Sequence, residues 1–71
     1  MTLSNIEAGK VVRMVSIEGG SNLRARLASM GLLPGVEIQV VKNLSAGPFI
    51  VQVKGSRLVL GRGMAQKIVV S

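Results

Sequence analysis

The sequence predicts a mainly β protein, a small barrel of about five strands with one short α-helix between strands 1 and 2. Three observations predict it. Val, Ile and Leu alternate with polar residues in several short runs. Only the stretch from Ser21 to Met30 carries helical spacing. Clusters of Gly, Pro, Asn and Ser separate the runs at the intervals expected of tight connections.

Residues 3–8 read as a lead-in of a single turn with Leu3 and Ile6 facing inward. Gly9 then opens a strand over residues 10–17 whose pattern is imperfect: Val11, Arg13, Val15 and Ile17 share one face, while Val12 and Met14 share the other. A strand that changes its buried face partway, as a bent barrel strand does, predicts this pattern, and so does a slipped register. Gly19-Gly20 ends the strand, and Ser21 is expected to cap the helix. Leu23, Leu27 and Met30 fall on one helical face, Ala25 and Ala28 favour helix, and Gly31 supplies the left-handed residue that stops it. Pro34-Gly35 fits the centre of a type II turn.

Val36, Ile38 and Val40 alternate with Glu37 and Gln39 in a half-buried strand, followed by a loop over residues 43–48. Residues 49–54 and 57–60 read as a hairpin about Gly55-Ser56, with 53 paired to 58 and 51 to 60. That register places Val51, Val53, Leu58 and Leu60 on one face and sets Lys54 opposite Arg57, an unfavourable like-charge pair. Residues 61–66 form a turn with one helical loop, and Ile68 and Val70 close the chain as an inward-facing pair. A partly open SH3-like barrel fits this order best. An OB-like barrel is the alternative, although it usually has longer strands and a later helix.

Seventy-one residues, 1–71, are expected to make a single domain. So short a chain buries a modest core, and with Phe49 the single aromatic that core is aliphatic. The absence of cysteine removes disulfides and suits a reducing compartment. No secretory leader is recognised at Met1-Thr2-Leu3-Ser4, and no apolar run approaches the ~20 residues that cross a bilayer, so a cytoplasmic location is expected.

Nine Lys and Arg against three Glu give a net charge of +6, which favours acidic partners. The chemistry of catalysis is missing: there is no His, Cys, Asp or Tyr, and Glu7, Glu18 and Glu37 belong to different elements. The protein is therefore expected not to be an enzyme. The same inventory gives no basis for a metal site, and Met14, Met30 and Met64 are expected in the core, so no cofactor is expected. Residues 61–67 lack phosphate-loop spacing and lead into a strand. Gly19-Gly20-Ser21 reads as plain helix capping. Nucleic acid is the second reading of the charge, weakened because one phenylalanine makes a poor stacking platform and no recognition helix follows a helix-turn. Arg24 and Arg26, placed near the positive end of the helix dipole, break a local rule. An acidic partner at that end would explain it.

Several residues together resemble a known family. Gly9-x-x-Val12 with Ile17, Leu23-x-x-x-Leu27-x-x-Met30-Gly31-Leu32-x-Pro34-Gly35-x-x-Ile38-x-Val40, Gly47-Pro48-x-x-Val51-x-Val53, Leu58-x-Leu60 and Ala65-x-x-Ile68-x-Val70 resemble the FeoA domain over nearly the whole chain. The Leu-Met-Gly-Leu-x-Pro-Gly block is the most specific part. The resemblance implies an SH3-like fold and a cytosolic accessory role in bacterial ferrous iron uptake beside FeoB, a membrane permease with a cytoplasmic GTPase domain. The same domain elsewhere ends metal-dependent repressors; with Met1 close to the domain start and no DNA-binding portion, the free-standing form is expected here, with peripheral association at the inner membrane through FeoB. Two departures, Met64 where members often carry an acid and Asn43-Leu44 where they often carry Ala-Pro, fall in connections. The expected partner surface is the helix and its exit, namely Arg24, Arg26, Met30 and Leu33, with Phe49 from the neighbouring loop. Protein–protein contact that modulates transport is the expected activity, and binding of RNA or another nucleic acid is the alternative.

Overall fold

The computed structural model describes residues 1–71. A 3-10 turn at Leu3–Asn5 precedes β1 (Val11–Ile17), α1 (Ser21–Ser29), β2 (Glu37–Asn43), β3 (Phe49–Val53), β4 (Ser56–Leu60), α2 (Arg62–Ala65) and β5 (Ile68–Val70). The five strands form one antiparallel sheet in the order β4-β3-β2-β1-β5, with the helix between strands 1 and 2 as the sequence predicts.

β1 explains its own irregular pattern. Val11, Val12 and Arg13 pair with β2, whereas Met14, Ser16 and Ile17 pair with β5, and the register shifts between Met14 and Ser16. The extra residue at that bulge lets Met14 and Ile17, three apart, both point into the core, while Val11 and Val15 stay outside. One bent strand thereby serves both halves of the sheet. A second shift, between Val40 and Lys42, bends β2 against β3.

The core holds fifteen buried residues, all apolar, including Leu3, Ile6, Leu27, Ile38, Val40, Phe49, Val51 and Ile68. No buried side-chain polar atom lacks a partner. Of the methionines assigned to this core, Met14 is buried, whereas Met30 and Met64 are partly buried and pack against it. Asn43, the last residue of β2 and no part of the following loop, donates from Nδ2 to the carbonyls of Ile6 (2.8 Å) and Ser4 (3.2 Å), which ties the lead-in to the sheet.

The hairpin differs from its expected register. Val53 pairs with Ser56, Val51 with Leu58 and Phe49 with Leu60, so the two-residue turn is Lys54-Gly55. Both turn residues have positive φ, 51° and 82°, as a type I′ turn requires. The slip is two residues, so every side chain keeps its face. Arg57 now lies opposite Gln52, and the anticipated clash with Lys54 does not arise.

Candidate functional site

The most specific segment of the sequence builds the helix exit. Ser21 is the first residue of α1, whose N-cap is Gly20, and no side chain caps the helix; the expected Ser21 cap does not form. Its C-terminal end is better defined. Leu32 N–H donates to the Leu27 carbonyl (2.9 Å) and Gly31 N–H to the Ala28 carbonyl (3.0 Å), the paired bonds of a Schellman motif. Gly31 at φ 90° reverses the chain. Leu32 then returns to the core beside Leu27, and Leu33, 47% exposed, is left outside. Pro34-Gly35 makes the expected turn, closed by Val36 N–H to the Leu33 carbonyl (3.0 Å). The turn is held to β1 by Gly35 N–H to the Met14 carbonyl (2.8 Å) and by Arg13 Nη1 to the Gly35 carbonyl (2.8 Å).

Between α1 and this exit lies a groove of about 250 Å³ lined by Met14, Ile17, Arg24, Ala28, Leu32, Leu33 and Pro34. Met14, Ile17 and Leu32 are core residues and form its floor; Arg24, Leu33 and Pro34 are exposed and form its rim. The recess is smaller than the ~300–1,000 Å³ usual for small-molecule and cofactor sites. It has room for a protruding apolar side chain, and the Arg24 guanidinium at its edge has no acid within ion-pair distance. The chain's one ion pair is Arg13–Glu37, at 3.7 Å.

The five residues expected to form a partner surface are only partly brought together. Arg24 and Leu33 meet at the groove. Arg26, two residues on, projects about 200° around the helix from Arg24 and is absent from the groove lining. It also lies in the last helical turn, where a cation is favourable, so only Arg24 defies the dipole. Met30 is half-buried against the core. Phe49 must be corrected: at 1% exposure its ring is a core element and offers nothing to a partner. It is covered from above by Arg62, whose guanidinium carbon lies 5.6 Å from the ring centroid and which also donates from Nη2 to the Leu44 carbonyl. With its only aromatic buried, the protein presents no stacking platform for a nucleobase. Ala28 and Pro34 were missed as lining residues, although their place beside Leu33 in the Gly31-stop block was the available signal.

No three His, Cys, Asp or Glu residues cluster to hold a metal ion. No helix is long and apolar enough to cross a membrane.

The family model of the FeoA domain matches residues 1–71. The chain belongs to the FeoA family. It is 38% identical over 68 residues to Fe(2+) transport protein A of Methanocaldococcus jannaschii, covering 96% of this chain and 82% of that protein. A crystal structure of an iron uptake regulatory protein, FeoA, superimposes with a TM-score of 0.90 at 42% identity, spanning 100% of this chain and 93% of that one. The FeoA of Stenotrophomonas maltophilia, crystallised with zinc and described as an SH3-domain protein, gives a TM-score of 0.86 at 29% identity over 100% and 89% of the two chains. The barrel is thus the SH3-like FeoA fold, as expected, and the OB-like alternative is set aside. The family is one of ferrous iron transport accessory proteins and not of enzymes.

Proposed function

We propose that this FeoA domain docks on the cytoplasmic face of a FeoB-type ferrous iron permease and modulates Fe2+ transport through protein–protein contact, without holding iron itself. The observation that carries this reading is the groove beside α1: an apolar recess with an unpaired arginine at its rim, on a protein of net charge +6. An acidic partner surface bearing one protruding aliphatic or aromatic side chain fits both features. The arginine accelerates encounter and the apolar insertion supplies residence time. Such docking makes the domain a peripheral protein of the inner membrane, located by its partner.

Membranes carrying FeoB test the proposal directly. The wild-type domain should be retained on them, and Arg24→Glu should weaken retention by about tenfold and lower Fe2+ uptake. The same substitution should leave the fold intact, or stabilise it by about 0.3–1 kcal/mol, because an acid then faces the helix N-terminus. A folded Arg24→Glu variant with unchanged retention and uptake would remove this surface from the mechanism.

A further inference from the structure

The two edges of the sheet are treated differently. Along β5 the N-terminal segment lies as a cover: Thr2 bridges to Val69, and Val70 N–H donates to the Met1 carbonyl at 2.9 Å. Along β4 nothing lies. β4 pairs with β3 alone, and no main-chain or side-chain hydrogen bond from elsewhere in the chain reaches residues 56–60.

Hairpin geometry says which groups are open. Across a two-residue turn the closing pair, Val53 and Ser56, exchanges both main-chain bonds, and such pairs recur at every second position, at Val51–Leu58 and Phe49–Leu60. Arg57 and Val59 therefore direct their N–H and C=O away from β3. Natural edges of this kind are usually shortened, bulged or covered, because they template the pairing of another strand. This one has a regular register with no bulge, and Val59 is 69% exposed beside Ile50 on the outer face.

We propose that the β4 edge receives an extended segment of an acidic partner by strand addition, antiparallel or parallel, with an acidic residue beside Arg57 and an aliphatic residue beside Val59. The charges along this edge select that occupant. Arg57 and Val59 are two apart and share the outer face, so an incoming strand meets one cation and one aliphatic in alternation. The residues flanking them across the sheet are Gln52 beside Arg57 and Ile50 beside Val59, with Lys42 beyond Ile50 and Lys54 in the turn. No acid lies on β3, β4 or their turn. A second copy of this chain is the poorer occupant. Two-fold pairing about Leu58 would satisfy the same main-chain groups but set Arg57 of the two copies diagonally on one face, on molecules that each carry +6. The groove beside α1 is a separate surface, and this inference does not depend on FeoB being the partner.

The test uses the full chain and two synthetic peptides, blocked at both ends, of sequence TVTETVT and TVTKTVT, in which the central charge has a valine two residues away on its own face in either direction, read by amide hydrogen exchange. With the acidic peptide, exchange at Arg57 and Val59 should slow by about tenfold while the β5 amides are unchanged; the basic peptide should have no effect. Arg57→Glu should reverse the preference between the two peptides. Val59→Pro removes an amide that no residue of the chain uses, and should abolish protection by either peptide. Absence of slowing at both amides, or equal slowing by both peptides, would overturn the proposal. So would protection of Val59 in the free protein that grows with protein concentration, since the edge would then belong to a second copy.

Discussion

Replacing Leu27 by Ala is the severest single test of how α1 is attached. Leu27 is the one residue of the helix that is completely buried, at 0% exposure, and it packs in the core with Leu32 at the other end of the Schellman turn. The substitution removes three carbons, worth about 2.4 kcal/mol at ~0.8 kcal/mol per buried CH₂. The cavity that remains adds about 1 kcal/mol or more, because the residues around a deleted core side chain relax only partly. A loss of about 3–4 kcal/mol follows, against a total of roughly 4–11 kcal/mol for a chain of this length. The midpoint of thermal unfolding should fall by about 12–30 °C. Far-UV circular dichroism in urea and on heating measures it, the chain having no Trp or Tyr to follow by fluorescence. Arg24→Ala, exposed on the same helix, serves as the control and should stay within about 0.5 kcal/mol of wild type. A loss under about 1 kcal/mol would refute the reasoning, as would a separate helix transition ahead of an unshifted main one.

Two further substitutions test local features. Lys54→Asn should stabilise the domain by about 0.5–1 kcal/mol, because Lys54 holds φ 51° in the hairpin turn and Asn tolerates that conformation better; chemical denaturation with an unchanged slope is the readout. Asn43→Ala should cost about 1–2 kcal/mol by releasing the carbonyls of Ser4 and Ile6, and amide exchange should show the lead-in opening before the sheet does.

Much of this fold was legible because hydrophobic periodicity and turn chemistry agreed. The face change in β1 was visible as an irregular alternation, and the bulge after Met14 is its cause. The helix stop was equally plain, since Gly31, Leu32 and Pro34 leave few other conformations for that segment. The hairpin register was not, for a physical reason: a slip of two preserves every inside–outside assignment, so hydrophobic patterning cannot detect it. Only the turn separates the two registers, and Lys54 at positive φ carries no signal comparable to Asn. Ser21 looked like a cap because its residue type is right, but the chain uses the extended Gly20 in that place. The candidate site was half legible. Arg24 and Leu33 flank one recess, whereas Phe49 was assigned outward from its loop boundary when an almost wholly aliphatic core needed its bulk inside.

The N-terminal cover on β5 has a consequence for how the domain can be tethered. Met1 accepts a main-chain bond from Val70, and Ser71 exchanges two with Arg13, at 3.1 and 2.9 Å. Both ends of the polypeptide thus leave from one corner of the barrel. Any label, anchor or neighbouring module joined at either terminus would hang from that corner, just across β1 from the Pro34-Gly35 turn that rims the groove, so a bulky attachment there would crowd that recess.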